Sequence, residues 1–194
     1  MTRAVFLDRD GVLNEPVPDP VDGRPESPWR ASDVALCVGA AAAVKALVEA
    51  GFEPVVVSNQ PAAAKGKTTV EDLHAVNARV RELLAADGAD IRTWKICLHH
   101  PEATVPELAG GCDCRKPAPG MLLEAASELG ISLSGSWIAG DSDADIGAGR
   151  AAGCRTVLVE HPLTAHRRSA GVKADATAID LQGAAAIILD SESV

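Results

Sequence analysis

Two carboxylates near the amino terminus, Asp8 and Asp10, follow the apolar run Ala4-Val5-Phe6-Leu7 and precede Gly11. The run has the composition of a buried strand, and the glycine permits an unusual turn directly after the acids. Acids this close repel each other, and Mg²⁺, which prefers oxygen ligands and accompanies substrate phosphate, keeps both ionised. An aspartate can also attack phosphorus to form an aspartyl-phosphate. The stretch therefore indicates metal-assisted phosphoryl chemistry, although Asp and Gly are also ordinary turn residues.

Three further groups of polar residues follow predicted strands. Ser58 can donate its hydroxyl to a phosphate oxygen, and Arg115 with Lys116 supplies two cations just before a predicted helix. Such positioned cations stabilise the charge of a phosphoryl group in transfer. Asp141 is expected beside the first acids as a further metal ligand, and Asp145 can bond to Lys116 behind it. Each group alone is also typical of a turn, a solvated surface or an acidic helix start. The prediction of phosphoryl chemistry therefore depends on all the groups occurring in order, each at the end of a predicted strand.

A cluster of cysteines and histidines follows the third predicted strand. Alternate residues of an extended segment point to the same side, so Cys97 can converge with His99, and Cys112 with Cys114. Three thiolates and one imidazole suit a tetrahedral structural Zn²⁺. The rival interpretation is a set of free buried cysteines. His100 is expected next to the site or facing solvent.

The elements that must position these residues alternate between strand and helix. Predicted strands cover 4–7, 53–57, 93–98, 136–139 and 156–159, and predicted helices cover 39–50, 69–87, 119–129, 143–152 and 178–189. Thr68 and Glu71 have the spacing of a capping box at the start of the second helix. The alternation predicts an α/β fold with a doubly wound, Rossmann-like, mostly parallel sheet. Its strands end at one common edge, where ligands bind.

The segment 15–32 carries five prolines and is predicted to be an ordered or semi-rigid loop. Trp29 and Arg30 are placed where they can face a ligand, and the alternative for Trp29 is that it pins the loop to the body. A chain of 194 residues is long enough for one sizeable core. We therefore interpret 1–194 as a single domain with insertions at 15–32 and 97–114.

The charge balance argues against some partners. With Lys+Arg 18 and Asp+Glu 27, the net charge of −9 disfavours nucleic acid and anionic membrane surfaces. An anionic substrate then requires a local basic pocket, for which the candidates are Arg9, Lys65, Lys67, Arg115 and Lys116. A cytoplasmic location is expected because no signal segment or membrane-spanning run appears. Cys37 and Cys154 have no neighbouring ligands in the sequence and are expected in the core.

Two longer strings resemble a known family. Phe-Leu-Asp-Arg-Asp-Gly-Val-Leu-Asn from residue 6 resembles the first motif of the haloacid dehalogenase (HAD) superfamily of phosphohydrolases, in its branch of histidinol-phosphate and heptose-bisphosphate phosphatases. Cys-Asp-Cys-Arg-Lys-Pro-Ala-Pro-Gly-Met from residue 112 resembles that branch's zinc loop. The resemblance extends from Phe6 to about Gly153. It implies a HAD-like fold without a separate cap domain, in which a zinc-binding loop orders Arg115 and Lys116 instead.

The resemblance also implies roles for individual residues. Asp8 is the nucleophile and Asp10 the general acid and base, while Ser58 and Lys116 hold the transferring phosphate. Asp145 bonds to Lys116 and does not contact the phosphate itself. The implied ligands are Asp8, the Asp10 backbone carbonyl and Asp141 for Mg²⁺, and Cys97, His99, Cys112 and Cys114 for Zn²⁺. The expected substrate-binding residues are Arg9, Asn59, Lys65 and Arg115.

The activity implied is that of a magnesium-dependent phosphomonoester hydrolase with a structural zinc. The expected substrate is D-glycero-D-manno-heptose 1,7-bisphosphate, which loses its 7-phosphate in the synthesis of cell-envelope sugars. Histidinol phosphate or another small phosphosugar is the alternative within the same chemistry. A different class, a catalytically retired zinc-stabilised binding protein, has no need for a costly cluster of like charges. We expect a monomer that acts on a small phosphorylated sugar, with no nucleic-acid or membrane partner.

Overall fold

The computed structural model describes residues 2–19, 22–169 and 171–191, so positions 20 and 21 of the predicted 15–32 loop and both ends of the predicted 1–194 domain lie outside it. The strands are β1 (Arg3–Leu7), β2 (Val17–Pro18), β3 (Pro25–Glu26), β4 (Phe52–Asn59), β5 (Thr93–Cys97), β6 (Trp137–Gly140), β7 (Arg155–Val159) and β8 (Ala176–Ala178). The helices are α1 (Ala40–Glu49), α2 (Val70–Ala86), α3 (Gly120–Leu129), α4 (Asp143–Ala152) and α5 (Leu181–Asp190).

Six strands form one parallel sheet in the order β5-β4-β1-β6-β7-β8. β1 lies inside it, with Leu7 opposite Val56 on β4 and Ala139 on β6. The chain winds outward from β1 in both directions, so the carboxyl ends of β4, β1 and β6 meet at a topological switch point, where ligands bind in such sheets. The predicted doubly wound, Rossmann-like sheet is confirmed.

The core lies on both faces of this sheet. Val5 and Leu7 of β1 pack with α1, α2 and α5, whereas Ala4 and Phe6 pack with α3 and α4 on the opposite face. Fully buried Phe6 and Leu7 side chains each contribute about 1.5–3 kcal/mol through the hydrophobic effect. Burial on both faces explains why β1 is a continuous apolar run rather than an alternating pattern.

The second helix starts one residue later than the predicted capping box. Thr69, rather than Thr68, accepts a hydrogen bond from Asp72 N at 3.0 Å, and the Asp72 carboxylate accepts one from Thr69 N at 3.3 Å. Asp72 therefore takes the part predicted for Glu71. The error arises because both spacings place an acid three residues after a threonine, and Thr68 also donates its hydroxyl to Asp72.

The predicted helix at 178–189 is wrong at its start. Ala176–Ala178 forms the edge strand β8, and α5 begins at Leu181 after Asp180, whose carboxylate accepts a hydrogen bond from Gly183 N at 2.8 Å. A three-residue strand is too short to show a period in the sequence. The Asp180 cap is the local signal that separates strand from helix.

The proline-rich segment contains a small antiparallel hairpin formed by β2 and β3. Trp29, which follows the hairpin, packs against the Ala62, Ala63 and Leu73 cluster, and the Lys67 ammonium lies 5.0 Å from its ring centroid. Trp29 thus pins the segment to the body of the molecule, while Arg30 is exposed.

Within the described ranges, the regular elements outside the sheet and its five helices are this hairpin and short 3₁₀ segments. No cap domain is present among these residues. None of the helices described has the length and apolarity needed to cross a membrane.

Candidate active site

The predicted acids lie together at the carboxyl edge of the sheet. Asp8 follows β1 and Asp141 follows β6, and the Asp8 backbone N–H bonds to Ala139 O at 3.0 Å, which extends the pairing of the two strands. Carboxylate oxygens of Asp8, Asp141 and Asp145 lie within 4.8 Å of one another, and all three residues are buried. Burial and the charges of its acidic neighbours raise the pKa of Asp8, although Lys116 opposes the shift.

Asp141 has the environment of a cation ligand. Its side chain is fully buried, yet neither carboxylate oxygen has a well-aligned hydrogen-bond donor. Burial, Asp8 and Asp145 raise the pKa of Asp141 to about 8, and the nearest cation, Arg167 Nη1, lies 3.6 Å away. The φ of Gly11 is 84°, and a Cβ there would collide with the Asp141 carboxylate. A hard divalent cation fits this unpartnered oxygen pair, and Mg²⁺ matches the donor set.

Asp10 has the opposite environment. Burial alone would raise its pKa, but the Arg9 guanidinium, at 3.0 Å, and hydrogen bonds from Asn14 and Gln60 outweigh burial and lower the pKa. Asn14 Nδ2 and Gln60 Nε2 donate to the carboxylate at 3.0 and 2.6 Å, and Ser27 Oγ donates at 2.8 Å. Asp10 is therefore held as an oriented, ionised carboxylate.

Lys116 is buried between two of the acids. Its ammonium lies 3.0 Å from Asp8 Oδ1, contacts the Asp145 carboxylate and donates to Val57 O at 2.7 Å. Burial would lower the pKa of Lys116, but the two carboxylates outweigh it and raise the pKa. The predicted contact between Asp145 and Lys116 is therefore present. Asn59 exchanges two hydrogen bonds of 3.0 Å with the Lys116 backbone, so Asn59 positions the lysine.

A cavity of about 290 Å³ opens above these residues. Its walls carry Asp8, Asp10 and Lys116, together with Arg115 and Arg167. Arg115 also donates to His99 O at 3.1 Å, which ties the cavity to the cysteine-rich loop. The full lining is Asp8, Asp10, Glu26, Ser27, Asn59, Pro61, Arg115, Lys116, Ser142, Ala144 and Arg167.

Not every predicted substrate-binding residue reaches this cavity. Arg9 is fully buried beneath it, bonded to Asp10, to Asn77 Oδ1 at 2.5 Å and to Gln60 Oε1 at 2.9 Å. Lys65 is exposed and borders a smaller adjoining space. Ser58 is buried, and its hydroxyl accepts a hydrogen bond from Gln60 at 2.9 Å. Arg9 thus orients Asp10 from behind instead of facing a ligand.

The cysteine-rich loop brings its four predicted zinc ligands together. Sulfur–sulfur distances among Cys97, Cys112 and Cys114 run from 3.2 to 3.6 Å. His99 Nδ1 lies 3.8 Å from Cys97 Sγ and 3.5 Å from Cys114 Sγ. Ligands of a tetrahedral ion with Zn–S bonds of about 2.3 Å are roughly 3.7 Å apart, so the four side chains fit Zn²⁺. His100 lies outside the group, and its ring accepts a backbone hydrogen bond.

Four residues of the site were missed by sequence analysis: Asn14, Ser27, Gln60 and Arg167. Asn14 and Gln60 stand inside predicted strand-end loops, so their position was the available signal. Ser27 reaches Asp10 only because the hairpin folds back over the edge. Arg167 lies in the 3₁₀ segment Pro162–Arg167, which follows β7. Because β7 ends at the same edge of the sheet as β1 and β6, its position after that strand was a signal that Arg167 could lie near the acids.

The chain is similar in sequence and fold to known proteins. A family model for HAD-hydrolase-like proteins matches residues 113–184. A D-glycero-beta-D-manno-heptose-1,7-bisphosphate 7-phosphatase of Pseudomonas aeruginosa is 37% identical over 161 residues, which cover 82% of this chain and 83% of that protein. The chain belongs to the HAD-like phosphatases.

Two further HAD-like relatives extend the comparison. A D-glycero-D-manno-heptose-1,7-bisphosphate 7-phosphatase of Thermosynechococcus vestitus is 40% identical, covering 81% of this chain and 78% of that protein. A further match is the crystal structure of a D,D-heptose 1,7-bisphosphate phosphatase from B. bronchiseptica, complexed with magnesium and phosphate. The alignment covers 98% of this chain and 99% of that chain. Its TM-score is 0.81 at 26% identity. The HAD-like fold is therefore shared over 98% of this chain.

Proposed function

We propose that this HAD-like phosphatase removes the 7-phosphate of D-glycero-D-manno-heptose 1,7-bisphosphate with the aid of Mg²⁺. The observation that carries the proposal is the buried carboxylate of Asp141, whose oxygens lack a well-aligned hydrogen-bond donor and lie next to Asp8. Asp8 and Lys116 line the cavity. Relatives named for this activity support the substrate.

The chemistry follows from the placement of two acids. Asp8 Oδ1 is held by Arg9 N at 2.7 Å and by Lys116, so the carboxylate is oriented toward the cavity. An Asp8 oxygen attacks phosphorus and the bond from phosphorus to the sugar oxygen breaks. Because Asp10 is ionised in the free protein, the proton comes from the monoanionic substrate phosphate and passes through Asp10 to the sugar oxygen. Asp10 then takes a proton from water, which attacks the aspartyl-phosphate and regenerates Asp8 with release of inorganic phosphate.

The two metals have separate tasks in the proposal. Asp8, the Asp10 backbone carbonyl and Asp141 would hold Mg²⁺, which neutralises charge on the transferring phosphate when bound. Cys97, His99, Cys112 and Cys114 would hold a structural Zn²⁺ that orders the loop leading to Arg115 and Lys116. Ser58 and Lys116 hold the phosphate, while Arg115 and Asn59 face the rest of the substrate.

The cations of the cavity favour a bisphosphate over histidinol phosphate. Arg115 and Arg167 line the same cavity as the lysine that serves the transferring phosphate. Each guanidinium has five N–H donors, so its contact with His99 O or Asp141 leaves donors for a second anionic group. Histidinol phosphate carries one phosphate and a cationic amine, which leaves these guanidinium groups unmatched. A retired binding protein is disfavoured because Asp8, Asp10, Lys116 and Asp141 are all in place.

The wider setting of the proposal is a single-domain monomer in the cytoplasm that supplies cell-envelope sugar precursors. The net charge of −9 disfavours a nucleic acid or an anionic membrane as partner. A small sugar phosphate is compatible with it, because one local group of cations is enough to attract such a ligand. In this setting the hairpin segment 15–32 and the loop 97–114 serve as insertions that shape the site.

A substrate panel tests the proposal. Phosphate release is measured from the heptose bisphosphate, histidinol phosphate and an aryl phosphate, with and without Mg²⁺. We expect Mg²⁺-dependent release, with kcat/KM highest for the bisphosphate. Arg167→Gln should lower the ratio of kcat/KM for the bisphosphate to kcat/KM for the aryl phosphate by about tenfold or more, the cost of losing one charged hydrogen bond to the second phosphate. The ratio is used because both substrates report any change at Asp141, which Arg167 contacts.

Arg150→Gln, which replaces an exposed arginine at the end of α4, is the matched control and should leave all rates unchanged. A preference for histidinol phosphate would discard the heptose assignment and keep the mechanism. Absence of Mg²⁺-dependent release from every substrate would discard both.

A further inference from the structure

A second group of metal-ligand side chains lies apart from the catalytic acids and the cysteine-rich loop. It consists of Glu15, Cys37 and His161, whose ligand-type atoms all lie within 4.8 Å of one another. His161 Nε2 is 3.0 Å from Glu15 Oε2. The three residues are widely separated in the sequence, which hid the group from motif analysis and led to the expectation that Cys37 is a plain core residue.

The backbone fixes each of the three residues at the same edge of the sheet. Glu15 N donates to Ala35 O at 2.9 Å, and Cys37 N donates to Leu13 O at 3.0 Å, so these two segments run side by side. His161 follows β7 and is half-buried. The side chains therefore converge because their backbones are held, which is the preorganisation that a metal site requires.

Carboxylates act on the thiol of Cys37. Burial and the carboxylates of Glu15, Asp10 and Asp141 all raise the pKa of Cys37. His161 Nδ1 is buried without a hydrogen-bond partner. A divalent cation would balance the negative charge around this sulfur, and thiolate, imidazole and carboxylate together match Zn²⁺ or Co²⁺ rather than Mg²⁺.

We propose that Glu15, Cys37 and His161 form a second transition-metal site, which takes Zn²⁺ with water as the fourth ligand. The site goes beyond the phosphatase activity and does not depend on it. Three protein ligands and an open position give weaker binding than the four ligands of the cysteine-rich loop.

The proposed site is connected to the catalytic edge. Arg168 donates to His161 O from both terminal nitrogens at 3.2 Å, and its Nη1 also reaches Asp141 O at 3.4 Å. A metal ion on His161 would hold this segment in place and with it the backbone that carries Asp141. Occupancy should therefore raise the melting temperature of the protein.

Cobalt binding to the full chain tests the proposal. The cysteine-rich loop is first loaded with zinc, and excess Mg²⁺ is added to occupy the catalytic acids. Co²⁺ is then titrated while the thiolate-to-cobalt charge-transfer band is followed, and the zinc content per chain is measured in a separate zinc-saturated sample. We expect one Co²⁺ equivalent with a band of single-thiolate intensity, and two zinc equivalents in zinc-saturated protein. Cys37→Ser should abolish the band, and His161→Gln should abolish stoichiometric binding.

Cys154→Ser is the matched control, because Cys154 is a buried cysteine with no metal-ligand neighbours among the described residues. It should bind like the wild type. Wild-type protein that takes up no cobalt and one zinc would overturn the proposal, and the three side chains would then be a hydrogen-bonded set. A charge-transfer band that survives in Cys37→Ser would overturn it equally, and the wild-type stoichiometry decides the matter even if a variant fails to fold.

Discussion

Neighbouring residues give the carboxylates of this site opposite proton affinities. Asp10 receives hydrogen bonds from Asn14, Gln60 and Ser27 and pairs with Arg9, so its pKa is lowered. Asp141 is buried without a well-aligned donor, and its pKa is raised to about 8. The first arrangement keeps Asp10 ionised, as the base that takes a proton from water must be, and the second leaves Asp141 ready to bind a cation.

The pKa of Asp141 predicts how stability varies with pH when Mg²⁺ is absent. The folded protein keeps a proton on Asp141 up to about pH 8, whereas the unfolded chain releases it near the ordinary value of 3.8. The folded state thus binds more protons between these values, and stability falls as pH rises through that window. Melting temperatures with zinc bound and no Mg²⁺ should show this slope, and Mg²⁺ should remove most of it.

Asp141→Asn isolates the contribution of this residue, because an amide does not titrate. Between pH 5 and pH 8, the free energy of unfolding should fall less for the variant than for the wild type. This range lies between the ordinary pKa of an aspartate and the raised pKa of Asp141. Equal slopes for the two proteins would contradict the assignment of the raised pKa to Asp141.

Lys116 is predicted to matter for folding as well as for catalysis. Lys116→Met keeps the length of the side chain but leaves Asp8 and Asp145 without their buried cation. The free energy of unfolding should fall by about 3–5 kcal/mol, the usual cost of breaking a buried pair. In urea unfolding, the control Lys95→Met, which loses two pairs with exposed glutamates, should cost about 0–1 kcal/mol. Similar losses in both variants would argue against the buried pair.

The elements that hold these residues differ in how well sequence predicts them. Strands β1, β4 and β6 were located because buried parallel strands are continuous apolar runs that end in polar residues. β8 was missed because it has three residues, and the hairpin of β2 and β3 was missed because each of its strands has two. The hairpin brings Ser27 to Asp10, a tertiary contact that no local pattern encodes.

The cysteine-rich loop carries a prediction at this scale. If Zn²⁺ orders the loop, Cys114→Ser should cost the protein one zinc equivalent and make the segment after β5 more sensitive to limited proteolysis. Phosphatase activity should fall with it, because the next residues are Arg115 and Lys116. Cys154→Ser, in the core away from the loop, should keep the wild-type zinc content and protease resistance. An unchanged cleavage pattern in Cys114→Ser would contradict a structural role for zinc.

For the molecule as a whole, charge is distributed unevenly. The net charge is −9, yet Arg115, Lys116 and Arg167 meet at one cavity on the sheet edge. Such a local concentration of cations steers a small anion to the site while the rest of the surface repels polyanions.

The sequence predicts that the acids lie near Lys116 and that the four Cys and His side chains of the loop lie together, because each residue lies at a strand end or in a short motif. The structure has both groups. Sequence analysis misplaced Arg9 because a charged residue next to two catalytic acids is expected to face substrate. Here the guanidinium is fully buried, where it satisfies Asp10. Burial of that kind depends on Asn77 and Gln60, which come from other elements.

Nucleophilic attack by Asp8 is the central claim, and phosphate release by Asp8→Asn tests it most directly. An aryl phosphate with saturating Mg²⁺ serves as substrate, circular dichroism checks the fold, and Asp33→Asn, an exposed acid, is the control. We expect Asp8→Asn to fold normally and to lose turnover by about 10³-fold or more, while Asp33→Asn keeps the wild-type rate. Turnover retained by a folded Asp8→Asn protein would exclude Asp8 as the nucleophile.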